Sequence, residues 1–223
     1  MKSSTEPDPA DRAYRSGGTS ETAIYEMVVE ALENLGIATG RLLDVGCGSG
    51  NLYPFVRDRL SSYVGVDLLR YDGFPPGADW VGANLDQLPL PLPSGFADVV
   101  VAVETIEHLE NPHAFMRELA RLTKSGGSVI VTTPNQLSLL SKATILLKNR
   151  FSAFQDVHYP AHITALLEID LIRIGSACGL LDLSISYSNS GRIVLTRRHY
   201  PRAASRRWPR ALSDAICLRG TKE

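Results

Sequence analysis

The sequence predicts a doubly wound α/β fold built on a mostly parallel sheet. Short apolar runs bounded by turn residues recur at 41–45, 63–66 and 96–103, and amphipathic helical patterns lie between them. Strands that alternate with helices in this way are typical of a parallel sheet covered on both faces. The chain has 223 residues, of which 44% are hydrophobic, so one such domain can bury an ordinary core.

The first predicted strand ends in a glycine-rich turn. Residues 41–45 read Arg-Leu-Leu-Asp-Val, and Gly46, Gly48 and Gly50 follow at alternate positions. Glycine lets a backbone approach a ligand closely, and a turn that opens into a helix exposes N–H groups that can hold an anion. Asp44 places a carboxylate beside the same turn. The loop therefore suits a ligand that has one anionic and one cationic end.

Three ligand classes compete for this loop. A phosphate-binding P-loop needs Lys and then Ser or Thr after its last glycine, whereas Asn51 and Leu52 follow Gly50. A dinucleotide site needs a third glycine where Asn51 stands, counting from Gly46. S-adenosylmethionine (SAM) fits the compact pattern better, because its amino-acid end carries an ammonium for Asp44 and a carboxylate for the loop N–H groups.

The acid followed by G-x-G-x-G at 44–50 resembles motif I of the class I SAM-dependent methyltransferases. The stretch from Glu104 to Pro112, and the helix–Gly-Gly–strand junction at 126–127, are similar to the ubiquinone-biosynthesis O-methyltransferases and to glycan and small-molecule methyltransferases. The resemblance covers about residues 20–135 well and the rest loosely. It implies a Rossmann-like, seven-stranded, mostly parallel sheet with an antiparallel edge strand.

The second and third predicted strands lead to the nucleoside part of the site. Asp67 ends the second strand about 20 residues after Gly46, where a Rossmann-like fold places a carboxylate for ribose hydroxyls. Residues 82–89 resemble the methyltransferase segment that binds adenine. Asn84 stands where the family has an acid, and its carbonyl can still accept a hydrogen bond. Asp86 is the alternative for this role.

Together, these patterns and the resemblance predict a SAM site at one edge of the sheet. Leu68 would lie against the adenine ring, and the end of the fourth strand would border the cofactor. The predicted SAM-binding residues are Asp44, Gly46, Cys47, Gly48, Gly50, Asp67, Leu68, Asn84, Leu85, Val103 and Glu104.

Two groups of residues are candidates for the chemistry. If the segment after the fourth strand turns helically, Glu104, Glu107 and His108 share one face. The resemblance implies that these three side chains could hold Mg²⁺ against a catechol-like acceptor; the alternative is that they make capping and sheet-edge hydrogen bonds. His158 and His162 form the second group. We therefore take His108, Glu107, His158 and His162 as the candidate catalytic residues.

The sequence also suggests how the chain is divided. Residues 1–18 are rich in Pro, Ser, Gly and charge and are predicted to be a flexible lead-in, and residues 19–223 a single methyltransferase domain. An insertion at 134–160 is expected to cover the acceptor like a lid. The arginine-rich stretch at 192–210 is interpreted as a solvated basic face, a contact for an anionic or lipid-linked acceptor, or a peripheral membrane contact.

The composition of the chain limits the cellular location and the binding partners that we expect. The net charge of -1 gives no reason to expect nucleic acid. Cys47, Cys178 and Cys217 are isolated, no apolar run approaches the length of a bilayer span, and residues 1–9 lack the apolar core of a signal peptide. A cytoplasmic protein is therefore expected; the oligomeric state is not predicted.

The function predicted from the sequence is that of a SAM-dependent methyltransferase, an enzyme of the EC 2.1.1 type. The acceptor would be a small molecule or a glycan or lipid intermediate, methylated at oxygen. Two alternatives remain open from the sequence: an NAD-type oxidoreductase and a SAM-binding regulator without catalytic activity.

Overall fold

The computed structural model describes residues 9–223, with side chains from residue 13 onward. Seven strands form one sheet in the order β3-β2-β1-β4-β5-β7-β6. Strand β7 runs antiparallel to both of its neighbours, and the other adjacent pairs are parallel. The predicted fold class is confirmed, with the antiparallel strand lying next to the edge strand. The strands are β1 Arg41–Val45, β2 Ser62–Asp67, β3 Asp79–Gly82, β4 Ala97–Ala102, β5 Thr123–Pro134, β6 Leu180–Tyr187 and β7 Ala215–Lys222.

Helices connect the strands. Asn111 caps α4 by accepting a hydrogen bond from the Ala114 amide at 2.9 Å, and Pro112 occupies its first turn. Between the glycine turn and β2, the regular helix is the single turn of Tyr53–Val56. The α-helices are α1 Pro9–Ser16, α2 Thr22–Asn34, α3 Tyr53–Val56, α4 Pro112–Leu122, α5 Leu139–Lys148, α6 Glu168–Ala177, α7 Arg202–Arg207 and α8 Pro209–Leu212; Ile106–His108 and Asp156–His158 are 3-10 turns.

Two apolar clusters lie on the two faces of the sheet. Leu43 belongs to one cluster and Leu42 to the other, because successive side chains of a strand point to opposite faces. Helix α4 covers one face with Phe115, and α2 covers the other with Val28. The central strand β4 is almost fully buried, as expected for a parallel strand covered on both sides. Among the described residues, no helix is long and apolar enough to cross a membrane.

The described part of the predicted lead-in is folded. Residues 9–16 form α1, and the Tyr71 hydroxyl donates to the Ala13 carbonyl at 2.6 Å. The Ser49 amide donates to the Gly18 carbonyl at 2.9 Å, which fastens this segment to the glycine turn. Residues 9–18 therefore form a helix and a turn that contact the glycine turn, while the flexibility predicted for the lead-in stays a prediction. Residues 1–8 lie outside the described residues.

Charges from elsewhere in the fold neutralise part of the arginine-rich stretch. Arg202 pairs with Glu26 of α2 at 2.6 Å, and Arg210 pairs with Glu168 of α6 at 3.1 Å. Arg192 pairs with Asp214 at 3.2 Å. These three arginines therefore fasten the connection between β6 and β7 to the rest of the domain. The sequence could not show this, because the two distant acids lie far away along the chain.

Candidate active site

A cavity of about 590 Å³ opens at the carboxyl ends of the parallel strands. This edge of an open α/β sheet is where such folds bind ligands. Gly50 and Glu107 are absent from its walls. The other predicted cofactor and catalytic residues line it, namely Asp44, Gly46, Cys47, Gly48, Asp67, Leu68, Asn84, Leu85, Val103, Glu104, His108, His158 and His162.

The glycines of the turn are explained by close packing. A Cβ atom on Gly48 would lie 2.2 Å from the Gly18 carbonyl oxygen, and one on Gly46 would lie 2.3 Å from Thr105 Oγ1. Both residues have positive φ, which favours glycine. Gly50 packs against Pro75 instead of facing the cavity. A Cβ atom added at Gly50 would lie 2.5 Å from the Cδ atom of Pro75. Gly50 shapes the turn, in contrast to the direct cofactor contact that the sequence predicted.

Asp44 offers one carboxylate oxygen to a ligand. Its side chain is buried, and the Tyr63 hydroxyl donates a hydrogen bond to Oδ2. Oδ1 is also buried and has no hydrogen-bond partner among the described residues. Burial is the main cause that raises the pKa of Asp44 to about 7; the Tyr63 hydrogen bond opposes the shift, and the nearby Asp67 adds to it. A ligand ammonium would satisfy Oδ1 and stabilise the ionised form.

Asp67 couples strand β2 to the glycine turn. The Gly48 amide donates to its Oδ2 at 2.8 Å, and the Leu68 amide donates to its Oδ1 at 2.7 Å. Burial raises the pKa of Asp67, while these amide donors oppose the rise. The carboxylate is therefore held at the cavity wall in one orientation, in position to accept hydrogen bonds from vicinal hydroxyls.

Asn84 and Asp86 share the wall beyond β3. The Asn84 Oδ1 atom accepts a hydrogen bond from the Asp86 amide at 3.0 Å, which makes a local turn. Asp86 Oδ1 accepts from the Glu110 amide at 3.0 Å. Because both side chains line the cavity, the structure keeps both residues as candidates for contacting the adenine.

Glu104 follows β4 in a strained conformation. Its φ of 48° is unusual for a residue other than glycine. Thr132 on β5 holds it, since Thr132 Oγ1 accepts from the Glu104 amide at 2.9 Å and donates to its Oε1 at 3.0 Å. Burial raises the pKa of Glu104 well above its usual range, and Glu107 raises it further. The side chain is therefore set toward the cavity in surroundings that disfavour its ionised form.

Glu107 lies behind the cavity wall. Its side chain is fully buried, and Oε2 accepts from Thr133 Oγ1 at 3.1 Å. Its backbone carbonyl accepts from the amides of Ile163 and Thr164, both at 3.0 Å. Burial raises the pKa of the Glu107 carboxyl. These contacts fasten the 161–164 segment to the sheet, so Glu107 supports the site from outside the cavity.

A cluster of rings forms the wall beside Glu104. His108 Nδ1 lies 2.9 Å from the Ala161 carbonyl oxygen. The ring of His162 contacts those of His108, His158 and Phe154, at centroid distances of 4.7, 5.5 and 5.5 Å. Burial, together with the neighbouring imidazoles of His108 and His158, lowers the pKa of His162 to about 4. His162 is therefore neutral at physiological pH.

The metal-ligand geometry differs from the predicted set. Among the described residues, the group whose ligand atoms lie within 4.8 Å of one another is Glu107, His108 and His162. Glu104, a predicted ligand, does not belong to it. The reason is that residues 106–108 form a 3-10 turn in place of the expected α-helical turn, while the insertion brings His162 alongside.

Two stretches of the cavity wall lie outside the site residues predicted from the sequence, although an acceptor contact was one interpretation of the arginine-rich stretch that begins at Arg192. The N-terminal segment contributes Ala13, Ser16, Gly18 and its neighbours to Glu21. The connection between β6 and β7 contributes Ser188, Ser190, Arg192 and Asp214. Neither stretch carries a motif, and only the Gly17-Gly18 pair marks a turn where the chain could pack closely. The predicted insertion supplies Ser152, Ala153 and His158.

The comparisons with known proteins decide the family. A family model described as "Methyltransferase domain" matches residues 21–174, which is well over half of the chain. The chain belongs to this family. The methyltransferase is 32% identical over 113 residues to the "Ubiquinone biosynthesis O-methyltransferase" of Pseudomonas aeruginosa; the match covers 47% of this chain and 48% of that protein. It therefore spans about half the length of these curated relatives.

Two further similarities cover more of the chain. A "Probable S-adenosylmethionine-dependent methyltransferase" of Mycolicibacterium smegmatis is 29% identical over 201 residues, which is 86% of this chain and 72% of that protein. A SAM-dependent methyltransferase structure from Archaeoglobus fulgidus superposes with a TM-score of 0.63 at 17% identity, covering 89% and 94% of the two chains. At that identity the superposition shows the fold alone. The prediction of a class I SAM-dependent methyltransferase is confirmed.

Proposed function

We propose that this methyltransferase transfers the methyl group of SAM to a hydroxyl oxygen of a small-molecule, glycan or lipid-linked acceptor. Bound SAM would supply an activated methyl carbon, open to in-line displacement. The acceptor O–CH₃ bond would form as the C–S bond breaks, leaving S-adenosylhomocysteine. The protein's part is to hold the two reactants in line and to accept the hydroxyl proton.

The cavity residues fit SAM at its three recognisable parts. The unpartnered Oδ1 of Asp44 suits the ammonium of the amino-acid end. The fixed carboxylate of Asp67 suits the ribose hydroxyls. Leu68 and Leu85 offer apolar surface to the adenine ring. The buried orphan oxygen of Asp44 supports this assignment most directly, because an unsatisfied buried carboxylate oxygen is costly without a ligand.

The proposal that oxygen is the acceptor atom rests on the orientation of His108. A carbonyl oxygen can only accept a hydrogen bond, so the contact with Ala161 places the His108 proton on Nδ1. In that tautomer Nε2 is the nitrogen that can take a proton. Because His108 lines the cavity beside Glu104, we assign it as the general base. A hydroxyl nucleophile benefits from such a base more than a thiol or an unprotonated amine does.

Mg²⁺ is not part of this proposal. Mg²⁺ prefers oxygen ligands in octahedral geometry, whereas the clustered donors are two imidazoles and one carboxyl. Burial raises the pKa values of Glu104 and Glu107, so both carboxyls disfavour the ionised form that a metal needs. We expect turnover to persist at full rate after treatment with EDTA.

The acceptor half of the cavity suits a polar acceptor. Ser152, Ser188 and Ser190 supply hydroxyls, and the ion pair of Arg192 with Asp214 supplies further polar groups. Such a wall can hydrogen-bond the remaining hydroxyls of a sugar or phenol. These residues come from the insertion and from the connection between β6 and β7. Because both are among the least regular parts of the chain, we expect such parts to determine which class of acceptor binds.

Substitution of His108 tests the proposed chemistry. The measurement is the formation of S-adenosylhomocysteine with a panel of soluble catechols and saccharides. We expect His108→Gln to lower kcat on any methylated acceptor by about 10²–10⁴-fold, the range for loss of a general base. The affinity for SAM should stay within about threefold, because His108 has no assigned SAM contact. The matched control is His113→Gln, at an exposed position on α4.

The outcomes separate the candidate functions. An unchanged kcat in His108→Gln, with a product methylated at oxygen, would remove the base assignment. If no acceptor yields S-adenosylhomocysteine although SAM binds, a SAM-binding regulator without catalysis would be favoured instead.

A further inference from the structure

An exposed apolar surface lies beside the acceptor half of the cavity. It consists of Ile145, Leu146 and Leu147 in the last turn of α5 and Val194 and Leu195 in the connection between β6 and β7; we call it the α5 surface. Leu146, Leu147 and Leu195 are 85%, 69% and 89% exposed. A groove of about 370 Å³ runs between the two segments, with Leu147 and Leu195 among its walls. Clustered exposed leucines mark an interaction site more often than scattered ones do.

Positive charge borders this surface. Lys148 and Arg197 line the groove itself, while Lys142 and Arg198 lie on the same two segments. Residues 137–155 and 188–200 contain no Asp or Glu. Within the part of the chain that the structure describes, none of these four cations forms an ion pair. The surface therefore combines an apolar centre with an uncompensated basic border.

The geometry points to an anionic phospholipid surface as the occupant: we propose that the α5 surface docks the protein on a membrane. Apolar side chains at a helix end can enter the boundary between headgroups and acyl chains, while Lys and Arg contact the anionic headgroups. Because both segments lack acids, the positive charge of their Lys and Arg residues is complementary to the negative charge of the headgroups. The sequence suggested a membrane contact along the arginine-rich stretch, but Arg192, Arg202 and Arg210 form ion pairs within the fold. We therefore place the membrane contact at the α5 surface instead.

The α5 surface is built from the same segments as the acceptor half of the cavity. Ser141 of α5 accepts a hydrogen bond on Oγ from the Ser152 amide at 3.2 Å, and Ser152 lines the cavity. Arg192, two residues before Val194, lines the cavity as well. A membrane contacted at the α5 surface would therefore lie beside the entrance used by the acceptor. Of the proposed acceptor classes, this placement favours the lipid-linked one.

Vesicle co-sedimentation of the full chain tests the proposal. We expect the protein to sediment with vesicles of phosphatidylcholine and phosphatidylglycerol, and to remain in solution with phosphatidylcholine alone. Added salt should weaken the binding, because screening reduces the attraction between exposed charges. The double variant Leu146→Glu with Leu147→Glu, and separately Lys148→Glu with Arg197→Glu, should each lower the partition coefficient by about tenfold or more.

Matched controls carry the same changes elsewhere. Ile169→Glu with Leu181→Glu places two acids at exposed apolar positions on α6 and β6, and Arg57→Glu with Arg173→Glu reverses two charges outside the α5 surface. Both controls should bind vesicles like the unaltered protein. A SAM titration of every variant checks that the fold is intact, so loss of lipid binding is distinguished from failure of the cofactor site.

Three results would overturn the proposal. The first is failure of the unaltered protein to sediment with anionic vesicles, and the second is a leucine double variant that binds them as well as the unaltered protein does. The third is a concentration-dependent dimer in solution that the leucine double variant abolishes, since the occupant would then be a second copy of the chain.

Discussion

At the scale of single residues, the site depends on carboxyls held away from water. Asp44 keeps one oxygen unpartnered, Asp67 is fixed by backbone amides, and Glu104 is held by Thr132. Burial raises the pKa of all three acids. In the free protein, burial disfavours the ionised forms of these carboxyls. A bound cationic ligand stabilises the ionised forms, so ligand binding and proton release are linked at this site.

This linkage predicts how SAM affinity depends on pH. The pKa of Asp44 is about 7 in the free protein, and an adjacent ammonium would lower it. Below about pH 7 the carboxyl must release a proton for SAM to bind. We therefore expect affinity to fall as the pH is lowered, approaching about tenfold per unit where this group alone contributes. Calorimetry in buffers of different ionisation enthalpy would count the proton.

The variant Asp44→Asn identifies the group responsible. It should bind SAM more weakly at pH 8 and lose most of the pH dependence. Any slope that remains in this variant would belong to Asp67 or Glu104, whose pKa values are raised in the same direction. A variant that keeps the full slope of the unaltered protein would show that Asp44 is not the linked group.

At the scale of elements, the glycine turn and the N-terminal segment act as one unit. The Gly18 carbonyl accepts from the Ser49 amide, and the Tyr71 ring lies against Gly18, with its atom Cζ 2.8 Å from the position of an added Cβ. Helix α1 is in turn held by the Tyr71 hydroxyl. The segment therefore closes the cavity over the turn that is assigned to the amino-acid end of SAM.

A side chain at Gly48 should disrupt this closure. Gly48→Ala puts a methyl group 2.2 Å from the Gly18 carbonyl, so the segment must move. We expect faster hydrogen exchange in residues 9–21 and SAM affinity lower by about tenfold or more, equivalent to at least ~1.4 kcal/mol. Gly126→Ala is the matched control, because Gly126 also has positive φ but no atom within 4 Å of an added Cβ. Equal SAM affinities in the two variants would contradict this account.

Predictions from the sequence were correct where a local sequence pattern determines the local structure. The 41–50 stretch joins an apolar strand to glycines at fixed spacing, and the structure has β1 and the turn there. Asp67 and Asn84 could be placed at the cavity because β2 ends at Asp67 and β3 ends two residues before Asn84. The places of Gly50 and Glu107 were not predictable, since each depends on contacts with Pro75 and Thr133, which are distant in sequence.

At the scale of the whole molecule, the sheet order and the two apolar faces follow from the alternation of strands and helices. The walls of the acceptor half do not, because they come from connections with little periodic pattern. Residues 188–214 fold back through ion pairs to α2 and α6, and the segment before α2 docks through backbone hydrogen bonds. Such long-range pairs leave no mark in a single sequence. The kind of chemistry is thus inferred from the ends of the strands, and the choice of acceptor from the connections.

The central claim is that this cavity binds SAM through the acids at the ends of β1 and β2. Its most direct test is calorimetric titration of SAM into the unaltered protein and into Asp67→Ala, with NADH as the competing ligand. The account predicts saturable SAM binding, a loss of about 1–3 kcal/mol in Asp67→Ala, the range for losing hydrogen bonds to a charged group, and no displacement by NADH. Equal SAM affinity in the two proteins, or displacement of SAM by NADH, would contradict it.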